Sequence, residues 1–211
     1  MTDAAVTGSH DRVARLWLAT LHEIAQRAAH EIKNALNGVA VNLEVVRGRL
    51  GRPDATAEGA ARFANTAGAE FERVSACTEA LLSLSRPPRT PVDVGAELRA
   101  LRTLLAAGAA GEVPGARAAG ASSAGGEEVR LALGAALLAA CTDRAAPCAA
   151  ELRATGTVAV RITCDAPPDD FDPEVADVAR GAGIGVTVAP DVITLTFPPL
   201  RAGDRSAIGS A

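Results

Sequence analysis

Residues 21–50, LHEIAQRAAHEIKNALNGVAVNLEVVRGRL, decide the fold. The apolar positions Leu21, Ile24, Ala28 and Ile32 are followed by Leu36, Val39, Leu43, Val46 and Leu50, spaced by threes and fours as on one stripe of a helix. The pattern predicts one helix from Asp11, behind a frayed polar tail over residues 1–10, to a stop at Gly51, Arg52 and Pro53. Such a helix is about 60 Å long at 1.5 Å per residue, and its later seam is that of a coiled coil or helix bundle.

Working outward, a second stripe of Phe63, Ala67, Phe71, Val74, Cys77, Leu81 and Leu84 runs to Pro87 and Pro88. Residues 11–88 therefore read as an antiparallel helical hairpin. Two helices with one apolar seam each cannot enclose a core, so the expected form is a homodimer closed into a four-helix bundle. Residues 89–200 differ in character. Val92 to Ala107 suggests a short strand and a helix, Gly108 to Gly126 a flexible Gly/Ala/Ser loop, and Glu127 to Cys141 an apolar helix. Thr157 to Asp165 alternates as a half-buried strand, Asp172 to Arg180 forms a helix closed by Gly181, and Gly185 to Phe197 supplies two strands. The whole chain is expected to be α+β, a helical hairpin followed by a small α/β sandwich.

Composition narrows the function. The 211 residues are 48% hydrophobic but 2% aromatic, so the interior is built from Ala, Val, Leu and Ile. Net charge is −4, from 21 basic and 25 acidic residues spread along the chain, with no basic stripe to meet a phosphate backbone; nucleic acid is not an expected partner. Cys77, Cys141, Cys148 and Cys164 lack C-x-x-C spacing and nearby histidines, and read as reduced thiols, not zinc ligands or a disulfide framework. The longest apolar stretch, Leu131 to Cys141, is far short of the roughly 20 residues that span a bilayer, and no signal peptide is evident, so a soluble cytoplasmic protein is expected.

Chemistry concentrates in Ala29-His30-Glu31-Ile32-Lys33-Asn34-Ala35-Leu36-Asn37. His30 lies two residues past Ala28 and two before Ile32, which turns it roughly away from the seam, on a face with Asn34, Asn37, Val41 and Val45. An imidazole, with an ordinary pKa of about 6.5, keeps a neutral nucleophilic nitrogen near physiological pH. Glu31 is placed to hold the proton of the other ring nitrogen, Asn34 to orient a water or phosphoryl oxygen, and Lys33, the only lysine, to steer an anionic partner. The bland reading is a solvated surface histidine, which suffices for His10 in the tail and for His22, whose His22-Glu23-Ile24 is followed by Ala25-Gln26.

His30-Glu31-Ile32-Lys33-Asn34-Ala35-Leu36 resembles the phosphoacceptor box of histidine kinases, usually His-Glu-(Leu/Ile)-(Lys/Arg)-(Asn/Thr)-Pro-Leu. The hairpin over 11–88 is similar to that family's dimerisation and phosphotransfer domain. The resemblance implies that His30 is the phosphorylated residue, Glu31 its acid/base partner and Asn34 a helper in dephosphorylation. Ala35 replaces the family's proline, which removes a helix kink and weakens the case for autophosphorylation.

The order of elements from Val92 to Pro198 looks like a degenerate version of the family's ATP-binding domain. Ala140 stands where the family has a magnesium-binding asparagine, and no asparagine follows Asn65. No Asp-x-Gly-x-Gly box is present, and Gly181-Ala182-Gly183-Ile184-Gly185 precedes a strand, where a tight turn explains the glycines better than a phosphate cradle. ATP binding is not expected, no resident cofactor or metal is expected, and magnesium belongs on the partner. The expected function is a histidine phosphotransferase of a two-component phosphorelay. It would shuttle a phosphoryl group between response-regulator receiver domains through His30, with Lys33, Asn37, Val41 and Val45 in the docking surface. The alternatives are a diverged sensor kinase or phosphatase, and a dimeric scaffold that binds a receiver and transfers nothing.

Overall fold

A computed structural model describes residues 3–52, 57–105, 120–140, 148–152, 156–164 and 171–200. Its longest element is helix α1, Asp3–Leu50, 48 residues or about 72 Å. It begins eight residues before the Asp11 start that the sequence pattern suggests. Nothing in 3–10 breaks a helix: there is no proline, alanines favour the state, and Gly8 costs only about 1 kcal/mol. Arg47 and Arg49 in the last turn complement the helix dipole. Helix α2, Ala57–Leu84, returns alongside it, and the Arg49 guanidinium donates to the Gly59 carbonyl (3.2 Å) while stacking on the Phe63 ring at 4.7 Å.

The rest of the chain is a helix-on-sheet unit. Strand β1 (Val92–Asp93) pairs with β2 (Ala121–Ser122) and leads into helix α3 (Val94–Leu105), whose Ala96 N–H donates to the Asp93 carboxylate. Helix α4 (Gly126–Ala140) precedes strands β3 (Cys148–Leu152) and β4 (Val158–Thr163). Helix α5 (Pro173–Gly181) leads to strands β5 (Gly185–Ala189) and β6 (Val192–Phe197). The sheet is antiparallel in the order β3-β4-β6-β5. Its buried face carries Val158, Val160 and Ile162 of β4 and Ile193, Leu195 and Phe197 of β6, against α4. Asp172 caps α5 through the Glu174 N–H, and Gly183, at φ +75°, makes the turn into β5.

The α+β expectation holds. The strands that the pattern did not reveal have physical reasons for being silent: β2 is two residues long, and β3, Cys-Ala-Ala-Glu-Leu, has no β-branched side chain. Of the expected loop, residues 108–119 lie outside the described residues, as do Cys141 and Pro53.

One hydrophobic core crosses from the hairpin into the second unit. Helix α2 is 20 residues shorter than α1 (48 against 28), and beyond its end α3 and α4 pack on α1. Helix α4 approaches through Gly134, where a β-carbon would lie 3.0 Å from Thr20 Cγ2 and 3.3 Å from Ile24 Cδ1, with Trp17 beside them. At the far end Arg12 and Arg15 both bind the Glu174 carboxylate of α5, at 2.9 and 2.6 Å. The Arg12 hydrogen bond, helped by Arg15, holds Glu174 below the usual carboxylate range. That contact is therefore intact above the ordinary carboxylate pKa and fades as pH falls through the lowered one.

The junction of hairpin and second unit centres on Arg130, whose side chain is 5% exposed. Its Nε and Nη2 donate to the two carboxylate oxygens of Glu97 at 2.9 and 3.0 Å. Nη1 donates to the carbonyls of Leu84 (3.1 Å) and Arg86 (2.7 Å), and Nη2 to that of Ser83 (3.3 Å). These five bonds use all five guanidinium donors and reach carbonyls at and just beyond the end of α2. Replacing Arg130 by Met should cost about 3 kcal/mol in urea unfolding, because Glu97, 15% exposed, is left without its partner. Replacing Gly134 by Val should cost about 1–3 kcal/mol in the same measurement by forcing α4 off α1.

Candidate functional site

The site lies midway along α1, where α2 runs beside it. Contacts between the two helices fix which side of α1 faces inward: Glu31 meets Arg73, Gly38 meets Glu70, and Arg49 meets Phe63. The touching surfaces are small, with Ala35 on α1 and Ala60 and Ala67 on α2 buried. This divides the single seam read from the sequence into two stripes. Ile24, Ala28 and Ala35 are buried, whereas Leu36 (47%), Leu43 (47%) and Leu50 (58%) are exposed on a flank beside them. At about 100° per residue these three leucines share an arc of roughly 40°. Phe71 of α2, 59% exposed, falls on the same flank of the antiparallel pair.

His30 lies on the other flank, about 140° around α1 from the leucine stripe. Its side chain is exposed, as are those of Lys33, Asn34 and Asn37. Val41 is 63% exposed on the same arc, and Val45 at its edge is half-buried. The structure thus brings His30, Asn34, Asn37 and Val41 onto one accessible strip and leaves Val45 turned partly toward α2. Adjacent positions on a helix diverge by about 100°, and Glu31 accordingly points elsewhere. Its half-buried carboxylate lies 3.9 Å from the Arg73 guanidinium, which also donates to Glu70 at 2.8 Å.

Sequence reasoning did not find Arg73 and Glu70, and it placed Cys77 in the α2 stripe as a reduced thiol, not in this cluster. The Cys77 thiol is half-buried and donates to the Thr103 carbonyl of α3 at 3.6 Å. Burial pushes its pKa up, Arg73 opposes that and Glu31 adds to it. Spacing offered no signal for this cluster, because Glu31 and Arg73 are 42 residues apart and meet only in the folded hairpin. The available hint was a charged residue, Arg73, next to Val74 in the apolar stripe of α2.

His22 is also exposed and shares a hydrogen bond of 2.9 Å with Gln26 one turn on, so its ring is already engaged within its own helix. In the second unit Ala140, at the end of α4, is buried, and the Gly183 turn leads into strand β5. Among the described residues no cluster of His, Cys, Asp and Glu has the makings of a metal site. No described helix is long and apolar enough to cross a membrane.

No protein-family model matches the chain, and no curated protein matches it.

Peptide-mapped alkylation with iodoacetamide at pH 8 should modify Cys77 several-fold more slowly in the folded protein than in urea, since burial favours the unreactive thiol.

Proposed function

We propose that this chain is a histidine phosphotransferase of a two-component relay, with His30 as the phosphoryl carrier and a homodimer as the working form. One observation carries the reading. The only histidine set in a His-Glu-Ile-Lys-Asn-Ala-Leu box is solvent-facing in mid-helix, on the flank of the hairpin away from an exposed leucine stripe. The two flanks then have separate tasks.

The apolar flank takes a second copy. Leu36, Leu43, Leu50 and Phe71 form an exposed apolar face on a two-helix element, and pairing with its own copy closes a four-helix bundle around them. The polar flank takes a receiver domain. In the transfer step the lone pair of the unprotonated His30 nitrogen forms the P–N bond. The P–O bond to the receiver's aspartate breaks, and that carboxylate departs with its electron pair. The proton stays on the second ring nitrogen, where positive charge grows and a nearby carboxylate, Glu31, stabilises it. The reverse sequence passes the group to the next receiver. Such a reaction depends on alignment and charge, and the receiver supplies the magnesium and acidic pocket, so the chain needs no nucleotide site.

Incubation with receivers charged by acetyl phosphate should place acid-labile phosphate on the wild-type chain and none on the His30→Ala variant. Retained biological effect in His30→Ala would instead favour a scaffold, and labelling from ATP would favour a kinase. Val41→Asp with Val45→Asp should slow transfer at least tenfold while light scattering still gives a dimer. Leu36→Asp with Leu43→Asp should give a monomer.

A further inference from the structure

We propose that the free edge of strand β5 is a pairing site for a second copy of this chain, joined strand to strand about a two-fold axis through Thr187. The contact lies in the second unit and does not depend on the phosphotransfer reading. It is also distinct from the leucine flank. Helix α5, which packs beside β5, is tied to α1 at Arg12 and Arg15, whereas the exposed leucines of the hairpin flank begin at Leu36, about 30 Å further along α1 at 1.5 Å per residue.

In the order β3-β4-β6-β5, strand β5 is outermost, and its register with β6 runs without a bulge from Gly185↔Thr196 to Ala189↔Val192. Alternate residues of an antiparallel strand turn their N–H and C=O away from the partner, so β5 carries a row of donors and acceptors along its outer side. Among the described residues no second strand takes them. Protein edges are commonly blocked by a lysine, a proline or a bulge; Gly-Val-Thr-Val-Ala has none of these and no charge. Val188 is 46% exposed, and an open groove of about 430 Å³ between α5 and β5 is lined by Phe171, Pro173, Ala176, Val186 and Val188. A strand laid along this edge therefore gains apolar cover as well as hydrogen bonds.

Two features select a copy of this chain as the occupant. The first is symmetry: Val186-Thr187-Val188 reads the same in both directions, so an antiparallel two-fold sets Thr187 opposite Thr187 and each Val186 opposite a Val188. The two four-stranded sheets then become one. The second is charge. Helix α5 runs alongside β5, with Asp172 and Glu174 at its start and Arg180 in its last turn. The same axis sets α5 antiparallel to its copy on one face of the joined sheet, basic end toward acidic end. Arg180 pairs with Asp177 at 2.7 Å, but the two side chains are 75% and 56% exposed, so exchange onto an acidic group of the copy costs little. A five-residue edge is short, so the pairing is weak and depends on protein concentration.

The test is disulfide trapping in the full chain with Thr187→Cys, since residues that face each other across an antiparallel pair lie within reach of a disulfide. With copper phenanthroline as oxidant, this variant should form a reducible covalent dimer at least about tenfold faster than Thr163→Cys, an exposed position of β4 away from the edge, with the wild type setting the background of the native cysteines. Adding Val188→Lys should slow the trapping at least about tenfold, and adding Arg180→Glu about threefold, because the first blocks the edge and the second sets like charges together. Sedimentation of the chain without the added cysteine should show association that rises with concentration and is weakened by Val188→Lys, whatever the state of the leucine flank. Trapping no faster than in Thr163→Cys, or trapping and association that ignore Val188→Lys, overturns the proposal. An edge covered by another segment of this chain or by a different protein gives that same negative result. Circular dichroism checks that each variant folds. If Val188→Lys does not, Arg180→Glu, on a side chain 75% exposed, carries the comparison, and trapping indifferent to it overturns the pairing.

Discussion

The guanidinium of Arg130 joins three helices that would otherwise end or begin independently. It donates to carbonyls at and just beyond the end of α2, forms a two-point ion pair with α3 through Glu97, and is itself anchored in α4. A charge this deeply buried is stable only when every donor is used, and here every donor is. The consequence is positional. The direction in which α2 ends fixes where α3 and α4 begin, and α4 must then meet α1 at Gly134, where two helix backbones can approach because no side chain stands between them.

That geometry explains why α1 and α2 differ in length. The first half of α1 is covered by the second unit through Leu16, Trp17 and Ile24, and tied at its far end to Glu174. The second half is covered by α2 through alanines and a glycine. Small residues between α1 and α2 bring the backbones close and leave the leucines outside the pair. The hairpin therefore uses its alanines for internal packing and presents its leucines outward. The His30 strip occupies the other flank, about 140° around α1 from the leucines.

The polar cluster beneath that strip has a different physical character. Glu31, Arg73 and Glu70 are partly hydrated, sit in an interface built mainly from methyl groups, and share one positive charge between two negative ones. Arg73 is hydrogen-bonded to Glu70 at 2.8 Å and lies 3.9 Å from Glu31, in contrast with the two-point pairing of Arg130 and Glu97. The ion pair at the structural joint is thus buried, whereas the one between α1 and α2 is partly hydrated.

The linear pattern determined the elements that depend on local regularity. The period of threes and fours made α1 and α2 legible, alternation marked β4, β5 and β6, and Asp172 and Gly181 bracketed α5. The phase of His30 against Ala28 and Ile32 placed its side chain outside the seam, since rotation per residue is a property of the backbone alone. Strand β3 escaped because its alanines favour helix and it has no β-branched residue, and the first turns of α1 escaped because their small and polar residues carry no apolar stripe. Tertiary structure decided what distance along the chain conceals. It split one apolar seam into a buried alanine stripe and an exposed leucine stripe, it turned Arg130 from a helix residue into a joint, and it set Arg73 beside Glu31. Each of these depends on which helices touch and at what height, and that is fixed by the packing of small residues against one another, not by the periodicity of any single helix.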